Sequence, residues 1–498
     1  MKNPLFPRSA GILLHPTSLP GPYAMGDLGA VPALLDWMHQ AGLTVWQVLP
    51  LVQTGGGNSP YSSQSALSAN TLLLAFSGLV ADKLLHPHEL PPPLESLEKV
   101  DFQAVHALKL PLLEKAADRL VNDHAHPLHP RFIRYVHQQP WAVDAALFQA
   151  IRAEQKHQPW WHWPLPLRKR DPQALAEAEK RLKLQVNRYV ALQFLFDRQW
   201  QWLAEHARHR GIRIFGDVPI YVDGDSVETW KHPHLFQLDA HLQPKKVSGV
   251  PPDYFAKLGQ FWGNPLYDWP AMARDHYAWW TQRMQRALTH VDVVRIDHFR
   301  GFAAYWAIPR QAPDATHGSW QRGPGLPLFA ALKKSLGQLP MIAEDLGVMD
   351  DAVTTLRDKS GLPGMKVLQF AFGDNATNPF LPHHHTEHCV VYTGTHDNDT
   401  TLGWWNATPE LHGKVRQYLG EVDADTIAKV LVKTAMASVA HTAIIPAQDF
   451  LELGTEARMN VPGLTAENWA WRMKPGALDP HLASQIRRQV ELFDRLQP

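Results

Sequence analysis

The chain has 498 residues, a length that suits two or three ordinary domains or one large barrel carrying insertions. Hydrophobic residues at 45% and charged residues at 19% supply a sizeable core and exclude wholesale disorder. Lys+Arg and Asp+Glu balance at 48 each, which argues against a nucleic-acid protein, since that class shows a basic excess or patch.

The N-terminal stretch "MKNPLFPRSAGILLHP" is broken by Pro4, Pro7 and Arg8, so it lacks the continuous apolar region of a signal peptide. No stretch approaches the roughly 18 apolar residues of a membrane span, and a soluble, cytoplasmic protein without a membrane partner is expected. A lone cysteine, Cys389, excludes an internal disulfide and fits a reducing compartment. Its neighbours "CVVYT" read as a buried strand thiol rather than a nucleophile. Trp is as abundant as Phe, at 19 each. That surplus is either core or the lining of a groove for flat, hydroxyl-bearing ligands.

Eight short apolar runs follow one another along the chain, each ending in polar or small residues. They are "GILLHP" (11–16), "TVWQVLP" (44–50), "IRIFGD" (212–217), "VDVVRID" (291–297), "PMIAED" (340–345), "MKVLQFAF" (365–372), "CVVYTGTHD" (389–397) and "TAIIPAQD" (442–449). Continuous runs of this length, rich in Val and Ile, suit parallel strands buried on both faces. Helical patterns separate them, among them "LGAVPALLDWMHQAG" after the first run and "YAWWTQRMQRALTH" before the fourth. The alternation predicts right-handed βαβ crossovers, and eight strands make a (β/α)8 TIM barrel the natural closure. A doubly wound open sheet is the alternative, because strand number alone does not prove closure.

Two intervals are too long for simple crossovers. Residues 51–185 are expected to hold a mostly helical insertion between the second and third strands. Residues 218–275 are expected to form a loop-rich active-site insertion between the third and fourth. The whole of 1–498 is thus expected to be one catalytic barrel with no separate C-terminal β-sandwich domain. In the first insertion, the charge pattern of "LEKVDFQAVHALKLPLLEKAADRLV" reads as a solvated helix face. "TGGGN" at 54–58 lacks the Lys and the following helix of a phosphate loop and reads as a flexible rim loop.

In a parallel barrel the site lies at the C-terminal ends of the strands. Polar residues that interrupt the runs there are Asp217, Arg295, Asp297, Glu344, Asp345, His396, Asp397, Gln448 and Asp449. Val293, Arg295 and Asp297 share one face of the fourth run, since side chains alternate with period two. An inward Arg two residues before an inward Asp would hold that Asp ionised, as a nucleophile or cation stabiliser needs. A buried ion pair that only fixes packing fits the stretch equally well. Glu344 directly follows an apolar run, and poor solvation there raises a carboxyl pKa and favours a protonated acid. One charged and one protonated carboxyl is the division of labour for glycoside cleavage. Asp397 is either a third such acid, beside the hydrogen-bonding His396, Thr395 and Asn398, or an Asx turn ending a strand.

"RIDHFRG", "AEDLG" and "GTHDNDT" closely resemble the fourth-, fifth- and seventh-strand signatures of the amylomaltases or disproportionating enzymes. These are 4-alpha-glucanotransferases of glycoside hydrolase family 77, in the alpha-amylase superfamily. "SPYSSQSALSAN" (59–70), "GDVPIYVDGDS" (216–226), "GVPPDYFAKLGQFWGNPLYDW" (249–269) and "PAQDFLELGTEARMNVPGLTAENWAWR" (446–472) are similar to further motifs of that family, so the resemblance covers nearly the whole chain. It implies Asp297 as nucleophile oriented by Arg295, Glu344 as acid and then base, and Asp397 with His396 on the hydroxyls of the distorted sugar. It implies Asp217 and Tyr61 at the same sugar, Asp253, Gln260 and Trp262 on a covering loop, and Asn460 on a second one.

The resemblance further implies transfer of α-1,4-glucan segments among maltooligosaccharides or chains from starch or glycogen, with no cofactor and no metal. A hydrolase of the same bonds has the same carboxylates, and a non-catalytic glucan binder would require one of them to be lost. The chain departs from the family pattern at "LPHHH" (381–385), where many relatives carry "LPHNY". The triple His reads as a polar loop rather than a metal site.

Overall fold

A computed structural model describes residues 7–94, 98–252, 257–347, 349–464 and 467–497. Each of the eight apolar runs contributes one strand. These are β1 (Ser9–Leu13), β2 (Val45–Gln47), β3 (Arg213–Val218), β4 (Val293–Ile296), β5 (Met341–Ala343), β6 (Gly364–Val367), β7 (Cys389–Tyr392) and β8 (Thr442–Pro446). They pair in parallel in the order β6-β7-β8-β1-β2-β3-β4-β5. The ends of that order meet where the Ala343 N–H donates to the Pro363 carbonyl at 2.9 Å. The sheet is therefore a nearly closed (β/α)8 barrel and not an open doubly wound one.

All residues of β1, β2, β4, β7 and β8 are buried, which is why apolar residues occupy both faces of these strands instead of alternating with polar ones. A side chain at Gly11 would place its Cβ 2.4 Å from the Val45 carbonyl, so β1 and β2 approach closely only because Gly11 has none. At the lower end of the barrel, the Asp292 carboxylate accepts the Ile214 N–H at 2.8 Å and its own N–H returns to the Ile214 carbonyl at 2.8 Å. This acid sets the register of β3 against β4. The sixth run is a strand only as far as Val367, after which Leu368–Phe370 turn into a 3₁₀ helix. Leu368 and Phe372 stay buried there, so the apolar run continues as packing after ladder pairing has stopped.

Between β2 and β3 lie the long helices Phe102–Asn122, Pro140–Glu154 and Lys183–Arg208. The first of these departs from a wholly solvated charged face. Lys109 is buried and reaches Asp27, on the loop after β1, at 2.7 Å. A second buried network ties Lys183–Arg208 to the helix Ala278–Leu288. There Asp197 accepts from both Arg286 Nη atoms at 2.8 Å, from His290 at 2.8 Å and from the Tyr135 hydroxyl at 2.9 Å. With its lone pairs filled in this way, Asp197 keeps its pKa below the ordinary carboxylate range despite burial.

A small antiparallel sheet stands beside the barrel mouth, with strands in the order Gln260–Pro265, Lys246–Val250, Ala304–Pro309, Ser319–Arg322. It adds to the loop-rich reading of 218–275, because half of its strands come from the segment following β4. Among the described residues, no helix is long and apolar enough to cross a membrane.

Candidate active site

Parallel pairing of β3 with β4 sets Asp217 opposite Arg295, so the two side chains share one face at the barrel mouth. Arg295 Nη1 donates to Asp217 Oδ2 at 2.5 Å and its Nη2 donates to Asp297 Oδ1 at 2.9 Å. The Arg295 and Asp217 side chains are 3% and 0% exposed, whereas Asp297 is 27% exposed. The guanidinium is thus locked below, and the carboxylate it supports remains reachable. Burial, the largest influence, pushes the Asp217 pKa up against the pull of the Arg295 charge. The Tyr61 hydroxyl also donates to Asp217 Oδ2, at 2.8 Å, while Oδ1 accepts no hydrogen bond.

Glu344 follows β5 directly. Its Oε2 accepts the His298 N–H at 2.7 Å and its Oε1 the Leu346 N–H at 2.9 Å. His298 holds the left-handed backbone conformation, φ 51° and ψ 51°, and this turn aims its amide at the carboxyl. Burial raises the Glu344 pKa to about 8; Arg295 and the two amides pull it down, and the Asp297 charge adds to the rise. An acid held protonated near neutrality stands beside a supported carboxylate.

The third acid is on the loop after β7. Asp397 Oδ1 accepts from Asn460 Nδ2 at 2.6 Å, and His396 Nε2 lies 3.4 Å from the same oxygen. Arg458 holds the Asp397 main-chain carbonyl at 2.7 Å. The Tyr61 ring stacks on His396, with centroids 5.1 Å apart and planes at 13°, and Trp469 closes on both rings. On the opposite side, Trp262 meets the His298 ring edge-on at 4.8 Å, and its indole N–H donates to Gln260 at 3.1 Å. Asp253 lies outside the described residues.

The model of glycoside hydrolase family 77, described as 4-alpha-glucanotransferase, matches residues 14–479. The chloroplastic/amyloplastic 4-alpha-glucanotransferase of Solanum tuberosum is 46% identical over 494 residues, covering 98% of this chain and 86% of its own. The 4-alpha-glucanotransferase of Thermus thermophilus is 45% identical over 500 residues, covering 98% and 99%. The chain belongs to glycoside hydrolase family 77. In three dimensions it is similar to an amylomaltase from Streptococcus agalactiae solved in complex with acarbose. The TM-score is 0.94 at 35% identity, over 98% of this chain and 100% of that one.

Within this family 77 barrel, three polar residues at strand ends serve the fold. Asp345 is taken up by Arg357 at 2.5 Å and the Met365 N–H at 2.7 Å. Asp449 accepts from the Thr393 hydroxyl and from the Thr401 amide and hydroxyl. Gln448 donates to the Ala457 carbonyl at 3.2 Å. Each of the three histidines at 383–385 has its own partner, respectively Tyr418, the Ala376 carbonyl and Ser438. "TGGGN" is closed on itself by a bond from the Asn58 N–H to the Gly55 carbonyl at 3.2 Å. Residues to which the sequence reading gave no role also shape the site: His298 and Leu346 hold Glu344, Arg458 holds Asp397, and Trp469 backs Tyr61. The only sequence signal for His298 was its place directly after Asp297.

Proposed function

We infer that this family 77 chain transfers α-1,4-glucan segments between maltooligosaccharides by a retaining double displacement, with Asp297 as nucleophile and Glu344 as acid and base. The observation that carries this reading is the unequal setting of the two carboxyls. Asp297 is open and supported by Arg295, whereas burial holds Glu344 protonated up to about pH 8. In the first step an Asp297 oxygen attacks C1 of the donor sugar while Glu344 gives its proton to the departing O4. The leaving chain departs with a free 4-hydroxyl, and Asp297 becomes a neutral glycosyl ester.

That ester has lost the negative charge that helped raise the Glu344 pKa, so Glu344, having given up its proton, stays ionised and free to accept one in the second step. It accepts the proton of an incoming 4-hydroxyl as that oxygen attacks C1, which restores both the α linkage and the Asp297 carboxylate. Asp397 with His396 and Asn460 presents acceptors and donors to the hydroxyls of the reacting sugar, and the Oδ1 of Asp217, buried beside Tyr61 without a hydrogen-bond donor, is left to accept from that sugar. Arg295, Gln260 and Trp262 complete the substrate-binding set, and Asp253 belongs to it by resemblance.

The same reading takes 1–498 as one catalytic unit with insertions at 51–185 and 218–275. A cytoplasmic setting accords with the single thiol, Cys389, which is buried on β7 and donates to the Thr386 carbonyl.

Incubation with maltotriose tests the activity. Transfer predicts free glucose together with a ladder of chains longer than three units. Accumulation of glucose and maltose alone would make water the acceptor and the protein a hydrolase.

A further inference from the structure

Tyr61 stands at the start of a segment that follows β2, and the connection leaving β3 grips that segment at four successive points. The Tyr61 hydroxyl donates to Asp217 at 2.8 Å, and the Ser62 hydroxyl donates to Asp223 at 2.7 Å. The Val227 N–H donates to the Gln64 carbonyl at 2.9 Å, and the Ala66 N–H donates to Glu228 Oε1 at 2.9 Å. Partners thus advance together along both chains, from 61 with 217 to 66 with 228.

The segment is also stiff in itself. The Ser63 hydroxyl donates to the Ser65 carbonyl at 2.8 Å, and the Ser68 hydroxyl donates to that of Ser65 at 2.8 Å. Its far end is pinned by Gln193, which accepts the Ala69 N–H at 2.8 Å and donates to the Ala69 carbonyl at 3.0 Å. With that end fixed, a displacement at Ala66 is carried toward Tyr61 through a continuous hydrogen-bonded path.

Glu228 lies on the short helix Val227–Lys231 and is 3% exposed. Its second oxygen, Oε2, accepts no hydrogen bond, so the carboxyl serves the Ala66 amide. Burial, the largest influence, raises its pKa to about 7, while main-chain amides and the Arg283 charge pull it down. Both protonation states keep an oxygen that accepts the Ala66 N–H. For stability alone, one such bond does little to offset the desolvation of an acid.

We propose that Glu228 is a positioning residue for the reaction. Through the Ala66 amide it fixes the segment that carries Tyr61, and so sets that ring against His396 and its hydroxyl on Asp217. Glu228 bonds the chain that bears Tyr61 and acts through it. This role rests on the reading that places Tyr61 at the reacting sugar.

A double-mutant cycle on maltotriose cleavage, read as total glucose release from folded variants, tests this role. Glu228→Ala is expected to lower kcat/KM about tenfold to hundredfold, the scale of a site group displaced by about 1 Å. Glu228→Gln keeps the acceptor for Ala66 and should recover most of that loss. Tyr61→Ala should lose at least as much as Glu228→Ala. Adding Glu228→Ala to it should then cost less than about twofold more, since the residue it positions is gone. Should Glu228→Ala not fold, Glu228→Leu fills the space without offering an acceptor and completes the cycle.

Losses that multiply in the double variant would make Glu228 a general support of the fold and overturn the proposal. So would parent-level activity of Glu228→Ala, or a Glu228→Gln as slow as Glu228→Ala. Glucose is counted whichever acceptor takes the rest of the chain, so the cycle reads the same for transfer and for hydrolysis. A maltotriose profile without longer chains would count against the glucanotransferase reading and leave the role of Glu228 standing.

Discussion

Asp297→Asn is expected to lower maltotriose transfer by roughly four orders of magnitude, the scale seen when one member of a catalytic group acting as a unit is removed. The amide keeps the shape of the carboxylate and leaves Arg295 still bonded to Asp217, so the fold and the substrate KM should change little. What is lost is the oxygen that forms the ester. A donor with a good leaving group, such as α-maltotriosyl fluoride, therefore brings no recovery, and the loss falls on kcat with either substrate. Rates measured on both donors check this. Substantial residual transfer would remove Asp297 from the nucleophile's role.

Glu344→Gln should slow maltotriose transfer about 10³-fold, within the usual range for a positioned general acid and base. Here the fluoride donor separates the two roles. Fluoride departs without a proton, so formation of the glycosyl ester should persist while its transfer to an acceptor remains slow. The pH profile gives an independent sign. The first step requires Glu344 protonated, and burial places its free-enzyme pKa at about 8. Accordingly, kcat/KM should fall roughly tenfold per pH unit above about pH 8. Glu344→Gln carries no ionisable proton there, and the alkaline limb should disappear. A limb retained in the variant would belong to another group.

The eight strands were legible because a parallel barrel strand is buried on both faces and its sequence must be apolar throughout. Their ends were less so, since Leu368 and Phe372 remain in the core after the ladder of β6 has stopped. The three acids were visible as charges interrupting apolar runs, but the same signal also picked out Asp345 and Asp449. Those two are buried against their partners, Arg357 for one and Thr393 with Thr401 for the other, whereas Asp297 and Asp397 stay partly exposed.

What holds Glu344 was hidden for another reason. The interaction uses main-chain amides, and it depends on a left-handed turn at a histidine, where residue type is a weak guide to backbone conformation. The small sheet was hidden because its strands are short and interrupted by Gly249, Gly263 and Pro265. Asp292, which looked like a stray charge at the start of a strand, proved to be a register lock on β3.

The central claim is that Asp297 becomes covalently glycosylated. Glu344→Gln mixed with α-maltotriosyl fluoride, quenched in acid and digested, tests this by peptide mass. The account predicts a maltotriosyl adduct on the peptide containing Asp297, located at that carboxyl and absent when Asp297→Asn is added. An adduct on a different carboxylate, or turnover of the fluoride to the inverted anomer with Asp297 unmodified, would contradict it.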